Sequence, residues 1–221
     1  MRVWALVTQK GGSGKSLLSV HLAVHAEQLG LSTMIADVDP QGSCVLWSKE
    51  RKRKEPAVIP TMPDKLREVI AAARTLGADL AIIDTPSKLE SVILDAVHAS
   101  DLIICPSLVM LFDLGSLAST IQLLTMAKRK DRGVVVLNRV PSAATRAKKV
   151  YEHAAAAVRQ AGIAIADGYV SDRPTFATSL ESGRGVTESN PKSEAAEEIR
   201  RLYVELDELT AKLTVPQEAA Q

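Results

Sequence analysis

Apolar residues along the chain fall into two alternating kinds of segment. Five runs of strand length are continuously apolar and rich in β-branched residues: RVWALVT (2–8), TMIADVD (33–39), DLAIIDT (79–85), DLIICP (101–106) and GVVVLNRV (133–140). Continuous hydrophobicity predicts strands covered on both faces, as in parallel sheets. Between them, segments 16–29, 43–54, 64–76, 88–98, 114–129 and 143–161 have helical spacing and length. This alternation implies right-handed crossovers and an α/β fold: one doubly wound, mostly parallel sheet with helices on both faces.

After Gly162 the pattern loosens. IAIADGYV (163–170) predicts a last strand, RPTFATSLES (173–182) a short helix, and GRGVTESNP (183–191) a turn-rich stretch. The segment 192–213 predicts a closing helix, with Ala196, Ile199, Leu202, Leu206, Leu209 and Leu213 on one stripe and Ser193 at its N-cap. No repeat or long linker divides the chain, so 1–213 is expected to be a single domain and 214–221 a flexible tail.

Composition narrows the class. The 221 residues are 46% hydrophobic, enough for a sizeable core. Lys and Arg number 27 against 26 Asp and Glu, so no global basic excess announces nucleic acid, and any such binding needs local patches. Cys44 and Cys105 form no CxxC pair and have no His in ligand spacing, which argues against a disulfide framework or a metal site and for a reducing cytoplasm. The opening apolar run is too short for a signal-peptide core, and no stretch reaches the roughly 18 apolar residues of a membrane span.

Directly behind the first strand stands KGGSGKS, Lys10 to Ser16. Glycines between a strand and a helix let backbone N–H groups turn inward on an anion, and the helix dipole favours negative charge there. Gly14-Lys15-Ser16 ends such a phosphate loop: Lys15 reaches the terminal phosphates and the Ser16 hydroxyl ligates Mg²⁺. The usual pattern, GxxxxGK[ST], has a glycine where this chain has Gln9, and a second lysine, Lys10, follows. Two ammonium groups about 4 Å apart repel by several kcal/mol at an intermediate dielectric unless a polyanion separates them. With Lys15 assigned to the chain's own nucleotide, Lys10 has two outlets: solvent, or a phosphate presented by a second subunit.

Acidic residues close two further strands. Asp37 and Asp39 lie two positions apart, on one side of the sheet, towards the crevice where open α/β folds bind ligands. Capping of the next helix does not require both, because Pro40 breaks the strand and Ser43 can serve as the cap. Asp84 ends ADLAIID and suits water-mediated Mg²⁺ binding, and Thr85-Pro86 makes a turn able to sense hydrolysis. Asn138, at the end of another strand, offers the paired donor and acceptor that a purine edge requires.

Taken together these motifs resemble the ParA/MinD family of deviant Walker A ATPases. KGGSGKS resembles the family's phosphate loop, DVDPQGS (37–43) its Walker A′ motif, IIDTPS (82–87) its Walker B motif, and PSLVMLFDLGSL (106–117) its segment after the fifth strand. SGRGVTE, the closing helix and the RxxFA stretch from Arg173 are also similar to the family's C-terminal regions, most like a short ParA-type partition protein without an N-terminal helix-turn-helix.

The resemblance implies ATP and Mg²⁺ as cofactors; nothing like the guanine motif NKxD occurs. It implies that Lys10 crosses to the partner's ATP in a sandwich homodimer, that Asp39 positions the attacking water, and that Asp37 lies near the magnesium shell. Phosphate and base contacts then fall to Gly11, Gly12, Ser13, Gly14, Lys15, Ser16 and Leu17, with Asn138 at adenine and Arg173-Pro174 closing over it.

Sequence-independent DNA binding by the ATP-bound dimer is a further implication, and with it a partner of ParB or cargo-adaptor type that stimulates slow hydrolysis. Basic clusters stand at 49–54, 128–132 and 146–149, although most charge runs are solvated helix faces. Lys148, Lys149, Arg173, Arg184 and Arg201 are the candidate DNA contacts. The closing helix carries ELDELT and the tail is polar, which argues against a membrane anchor. The expected role is plasmid or chromosome partition, in the cytoplasm and on the nucleoid in the ATP state. Its rivals are positioning of a protein cargo by the same cycle and a related ATP-dependent amide-forming synthase. An iron-sulfur assembly ATPase of the superfamily would bring paired cysteines that are missing here.

Overall fold

The computed structural model of the protein describes residues 1–109 and 111–214. Strands and helices alternate in the order β1 (Arg2–Leu6), α1 (Lys15–Gln28), β2 (Thr33–Asp37), α2 (Ser43–Glu50), β3 (Ala57–Pro60), α3 (Leu66–Thr75), β4 (Leu80–Asp84) and α4 (Glu90–Ala99). They continue as β5 (Leu102–Leu108), α5 (Leu111–Met126), β6 (Gly133–Val140), α6 (Ala144–Gln160), β7 (Ala164–Ile165), β8 (Val170–Ser171), α7 (Pro174–Glu181), α8 (Val186–Ser189) and α9 (Glu194–Thr214).

One eight-stranded sheet has the order β3-β2-β4-β1-β5-β6-β7, with β8 on β6, and every pairing is parallel. Alternate strand residues enter two separate cores. Val3, Ala5, Ile83 and Ile103 pack with α3 to α6 on one face; Trp4, Leu6, Ile82 and Ile104 pack with α1, α2, α7 and α9 on the other. Burial on both sides explains why these strands are apolar throughout. The chain winds from β1 outward to β2 and later from β4 across to β5, so the strand order reverses at β1, and a crevice opens at its carboxyl end.

Several expectations are corrected. The helix predicted over 43–54 ends at Glu50, where Arg51 adopts extended backbone. β3 was not anticipated: it is a mostly exposed edge strand whose apolar run, AVIP, is only four residues long and ends on a proline. The last strand expected over 163–170 is two short pairings on β6. Within the turn-rich 183–191, Val186 and Thr187 are buried and nucleate the single turn α8. Gly42, with φ 61°, occupies the N-cap expected of Ser43. Ser193 does cap α9, its hydroxyl accepting from Ala196 N at 3.2 Å. The expected flexible tail lies outside the described residues except for Thr214, which ends α9.

α1 is the most enclosed helix and carries a histidine in its centre. His21 is fully buried, Nδ1 accepts from Val186 N–H at 3.1 Å, and the ring meets Phe176 edge-on with centroids 5.3 Å apart. The same ring therefore anchors α8 to α1. Burial pushes its pKa down from 6.5 to about 3. The unfolded chain binds a proton that the folded chain excludes, so stability is full above pH 6.5 and falls as pH drops towards 3. Between pH 6.5 and 5 the protein should lose stability at up to ~1.4 kcal/mol per pH unit through this group. In urea titrations at stepped pH, a His21→Asn variant, which keeps an acceptor near the Nδ1 position, should lack that component of the slope.

Candidate phosphate-binding site

The loop between β1 and α1 lies in the crevice at the switch point. Gly12 and Gly14 have φ of 74° and 100°, a left-handed conformation in which glycine escapes the Cβ penalty. Gly14 is also required for space, because a Cβ there would come within 1.9 Å of Asn138 Nδ2. Lys15 opens α1, only 7% exposed. Burial lowers its pKa from the ordinary value, while Asp84 and Asp39 nearby oppose that shift.

Asp84 ends the buried strand β4 and is completely enclosed. Ser16 Oγ donates to its Oδ2 at 2.6 Å and Ser19 Oγ to its Oδ1 at 3.1 Å; Cys44 Sγ lies 3.4 Å from Oδ2. Burial nevertheless raises its carboxyl to about 6. In strand register Asp84 lies opposite Asp37. Asp37 Oδ2 accepts from Val45 N at 3.0 Å and Oδ1 from Asp39 N at 3.3 Å. Asp37 thus takes the helix-capping part that the sequence suggested for Ser43. Asp39 Oδ1 accepts from Gln41 N at 3.0 Å, which fixes the turn after the strand.

Residues predicted to bind the nucleotide converge around this loop. Leu17, Asn138, Arg173 and Pro174 line one cleft of about 380 Å³. Asn138 is held in a particular way: its amide nitrogen donates to Ser13 O at 2.9 Å and its oxygen accepts from Arg139 N at 2.9 Å. Arg139 sits at φ 53°, at a register shift in β6, so the strand is bent where the asparagine meets the phosphate loop. Lys10 lines a depression with Thr8, Ser13 and Ser107, and its backbone N–H donates to Thr8 Oγ1 at 3.3 Å. Thr85 Oγ1 donates to Leu6 O at 2.6 Å, clamping the ends of β4 and β1 together.

Sequence reasoning missed four groups. Ser19 and Cys44 join the Asp84 cluster; Gln9 Nε2 donates to Glu90 Oε1 at 3.0 Å, linking the phosphate loop to the start of α4. For Ser19 a signal existed, since it stands one helical turn after Ser16 as a polar residue on a buried face.

The candidate DNA contacts are not brought into one patch. Arg173 pairs with Glu194 and Glu198, and Arg201 with Glu197 at 3.1 Å. Both arginines line a cleft of about 570 Å³ that also contains Asp167 and Glu205. Lys148 is exposed on α6 and 3.9 Å from Glu152, Lys149 is exposed beside it, and Arg184 lies elsewhere, on the turn between α7 and α8.

The donor set fits a phosphate and a hard divalent cation. Ser13 Oγ is buried with no hydrogen-bond partner among the described residues, and the Ser16 hydroxyl stands beside an enclosed carboxylate. Mg²⁺ prefers such oxygens. No group of three His, Cys, Asp or Glu with metal-site spacing occurs among the described residues, so the remaining ligands of such an ion fall to phosphate and water. No helix among those residues is long and apolar enough to cross a membrane.

A strand, glycine loop and helix with carboxylates at the ends of the flanking strands define a P-loop nucleotide-binding domain. The family model of the CobQ/CobB/MinD/ParA nucleotide binding domain matches residues 4–186, and the chain belongs to this family. It is 27% identical over 131 residues to the chromosome-partitioning ATPase Soj of Thermus thermophilus, a match that takes in 46% of this chain and 53% of that one. The chain thus spans about half the length of this curated relative. Solved structures share the fold: the Aquifex aeolicus cell division protein MinD (TM-score 0.76, 15% identity, 94% of this chain and 97% of that one) and an ATP complex of Cyanothece McdA (0.71, 13%, 100% and 99%). MinD of Pyrococcus horikoshii, solved with Mg-ADP, is a third (0.72, 18%, 97% and 99%).

An enclosed carboxylate without a cation costs stability. Raising a carboxyl from 3.8 to about 6 corresponds to roughly 3 kcal/mol against the ionised form at neutral pH. An Asp84→Asn variant, whose amide oxygen can still accept from the serine hydroxyls, should therefore melt above the parent when both are scanned calorimetrically without nucleotide or divalent ions.

Proposed function

We propose that the protein is a Mg²⁺-dependent ATPase that dimerises around two ATP molecules, binds DNA without sequence preference in that state, and is discharged by a partner that accelerates hydrolysis. Partition of a plasmid or chromosome is the role this cycle serves. The carrying observation is the placement of the nearly buried Lys15 ammonium beside Asp84 and Asp39, with the Ser16 hydroxyl on Asp84. Such a site is balanced for a polyanion accompanied by a divalent cation, and the family's named relatives include partition and cell-division ATPases.

This chain's groups divide the work. The loop N–H groups and Lys15 bind the phosphates and neutralise charge that develops on transfer. Mg²⁺, when bound at Ser16 and Asp84, supplies further charge neutralisation on the phosphate oxygens. Asp39 is half-buried, with Oδ1 engaged by Gln41 N–H and Oδ2 accepting no hydrogen bond among the described residues, which suits it to orient a water. Both Asp37 oxygens accept from backbone N–H groups, so its contribution is to hold α2 and add negative charge at the outer edge of the site. Lys10 is assigned to the ATP of the second subunit. The cleft at Asn138 and Pro174 receives the base.

Cargo positioning by the same cycle is the second reading, since it uses the same site with a different passenger. The first step to test is the sandwich. With ATP, Asp39→Ala should accumulate as a dimer by light scattering and turn over about 100-fold more slowly than the parent. Adding Lys10→Ala should return the mass to that of the monomer. A persistent dimer in the double variant would remove Lys10 from the partner's nucleotide.

A further inference from the structure

We propose that nucleic-acid phosphates are held in a basic groove between the chain leaving α2 and the turn joining α7 to α8, a surface separate from the arginines of the C-terminal cleft. This rests on the DNA-binding reading above and names the surface that carries it. The groove measures about 580 Å³ and is lined by Arg51, Lys52, Arg53 and Arg184 with Glu188 as its one carboxylate, a local charge of +3 in a chain of formal net charge +1. None of its lining side chains is a large apolar one, which favours a phosphate backbone over a lipid surface.

The groove is a built feature rather than a loose run of charges. Arg51 is its rivet: the side chain is 3% exposed, bridges both Glu188 oxygens at 2.8 Å, donates to Gly183 O at 3.0 Å and to Glu55 O at 2.5 Å, and stacks over Trp47. Trp47 Nε1 in turn donates to Arg184 O at 3.4 Å. Gly183, at φ 66°, lets the two segments touch, because a Cβ there would lie 2.4 Å from Glu50 O. Two chain segments more than 130 residues apart are thereby locked together, with Lys52, Arg53, Lys54 and Arg184 exposed around them.

Counterion pairing separates these cations from the C-terminal ones. Among the described residues no carboxylate lies in ion-pair distance of Lys52, Lys54 or Arg184, and Arg53, 69% exposed, approaches Glu188 only to 3.9 Å. Arg173, Arg201 and Lys148 already have Glu194, Glu198, Glu197 and Glu152 beside them. Phosphate binding releases bound cations from the nucleic acid, and a guanidinium held by a carboxylate contributes less to that exchange than an unpaired one. Position matters as well. α2, about 12 Å long, carries in its first turn Cys44 and Val45, which contact Asp84 and Asp37, and ends at the groove.

The test is fluorescence anisotropy of a short labelled duplex of arbitrary sequence with the full chain and ATP, at stepped salt. The variant Lys52→Ala/Arg53→Ala/Lys54→Ala leaves Arg51 and Trp47 in place, and its melting temperature and ATP turnover report an intact fold. It should bind at least ~10-fold more weakly, with a log affinity–log salt slope shallower by about 2 to 3; Arg184→Ala should reduce the slope by about 1. Lys149→Ala should change the affinity less than the triple variant does. Equal binding and slope in parent and triple variant overturn the groove and leave DNA binding intact. If the parent itself fails to bind duplex at low salt, the DNA reading falls and the groove with it. Retention on phosphatidylglycerol vesicles but not on duplex, abolished in the triple variant, overturns the nucleic-acid assignment in favour of a membrane.

Discussion

An enclosed carboxylate governs this structure. Asp84 ends the central strand β4 with no access to water, and the groups around it are arranged to tolerate that: two serine hydroxyls from α1, a thiol from α2 and the Lys15 ammonium nearby. These contacts tie α1 and α2 to the carboxyl edge of the sheet. The phosphate loop, α1 and α2 therefore share one electrostatic centre, and any ligand that neutralises it acts on all three.

A second set of constraints runs along the buried helix α1. Gly14 at its start admits Asn138, and His21 in its middle holds the backbone of α8. At its far end His25 meets Tyr203 of α9 edge-on. The glycine loop is thus fixed from behind by residues far along the chain. Rigid support of this kind keeps N–H groups aimed at one point, which electrostatic catalysis requires.

Much of the fold was legible because both-sided burial leaves a plain mark. The five long strands read directly from continuous apolar runs, and Ser193 from its position ahead of an amphipathic helix. β3 escaped because its apolar run, AVIP, is only four residues long and lies exposed at the sheet edge, and α8 because one turn is stabilised by its burial against His21 rather than by its own pattern. Site residues divide in the same way. Lys15, Ser16 and Asp84 are candidates by spacing, since phosphate chemistry needs those types in that order, and the structure brings them together. The Asn138 bond to the loop and the capping by Asp37 depend on which chain segments lie side by side, and no local spacing encodes that.

By itself the sequence determined the class of sheet, the phosphate loop and the acids at the strand ends, because these follow from short-range periodicity and from the valence of their chemistry. Tertiary structure alone decided how charge is distributed. Arg173 and Arg201 read as free basic residues along the chain, yet both meet carboxylates from α9; the run after α2 reads as an ordinary solvated stretch, yet Arg51 alone is consumed by Glu188 and its neighbours remain exposed. The physical reason is range. Hydrophobic period is a property of consecutive residues, whereas the worth of a charge depends on which opposite charge, from any part of the chain, folding brings within a few ångströms.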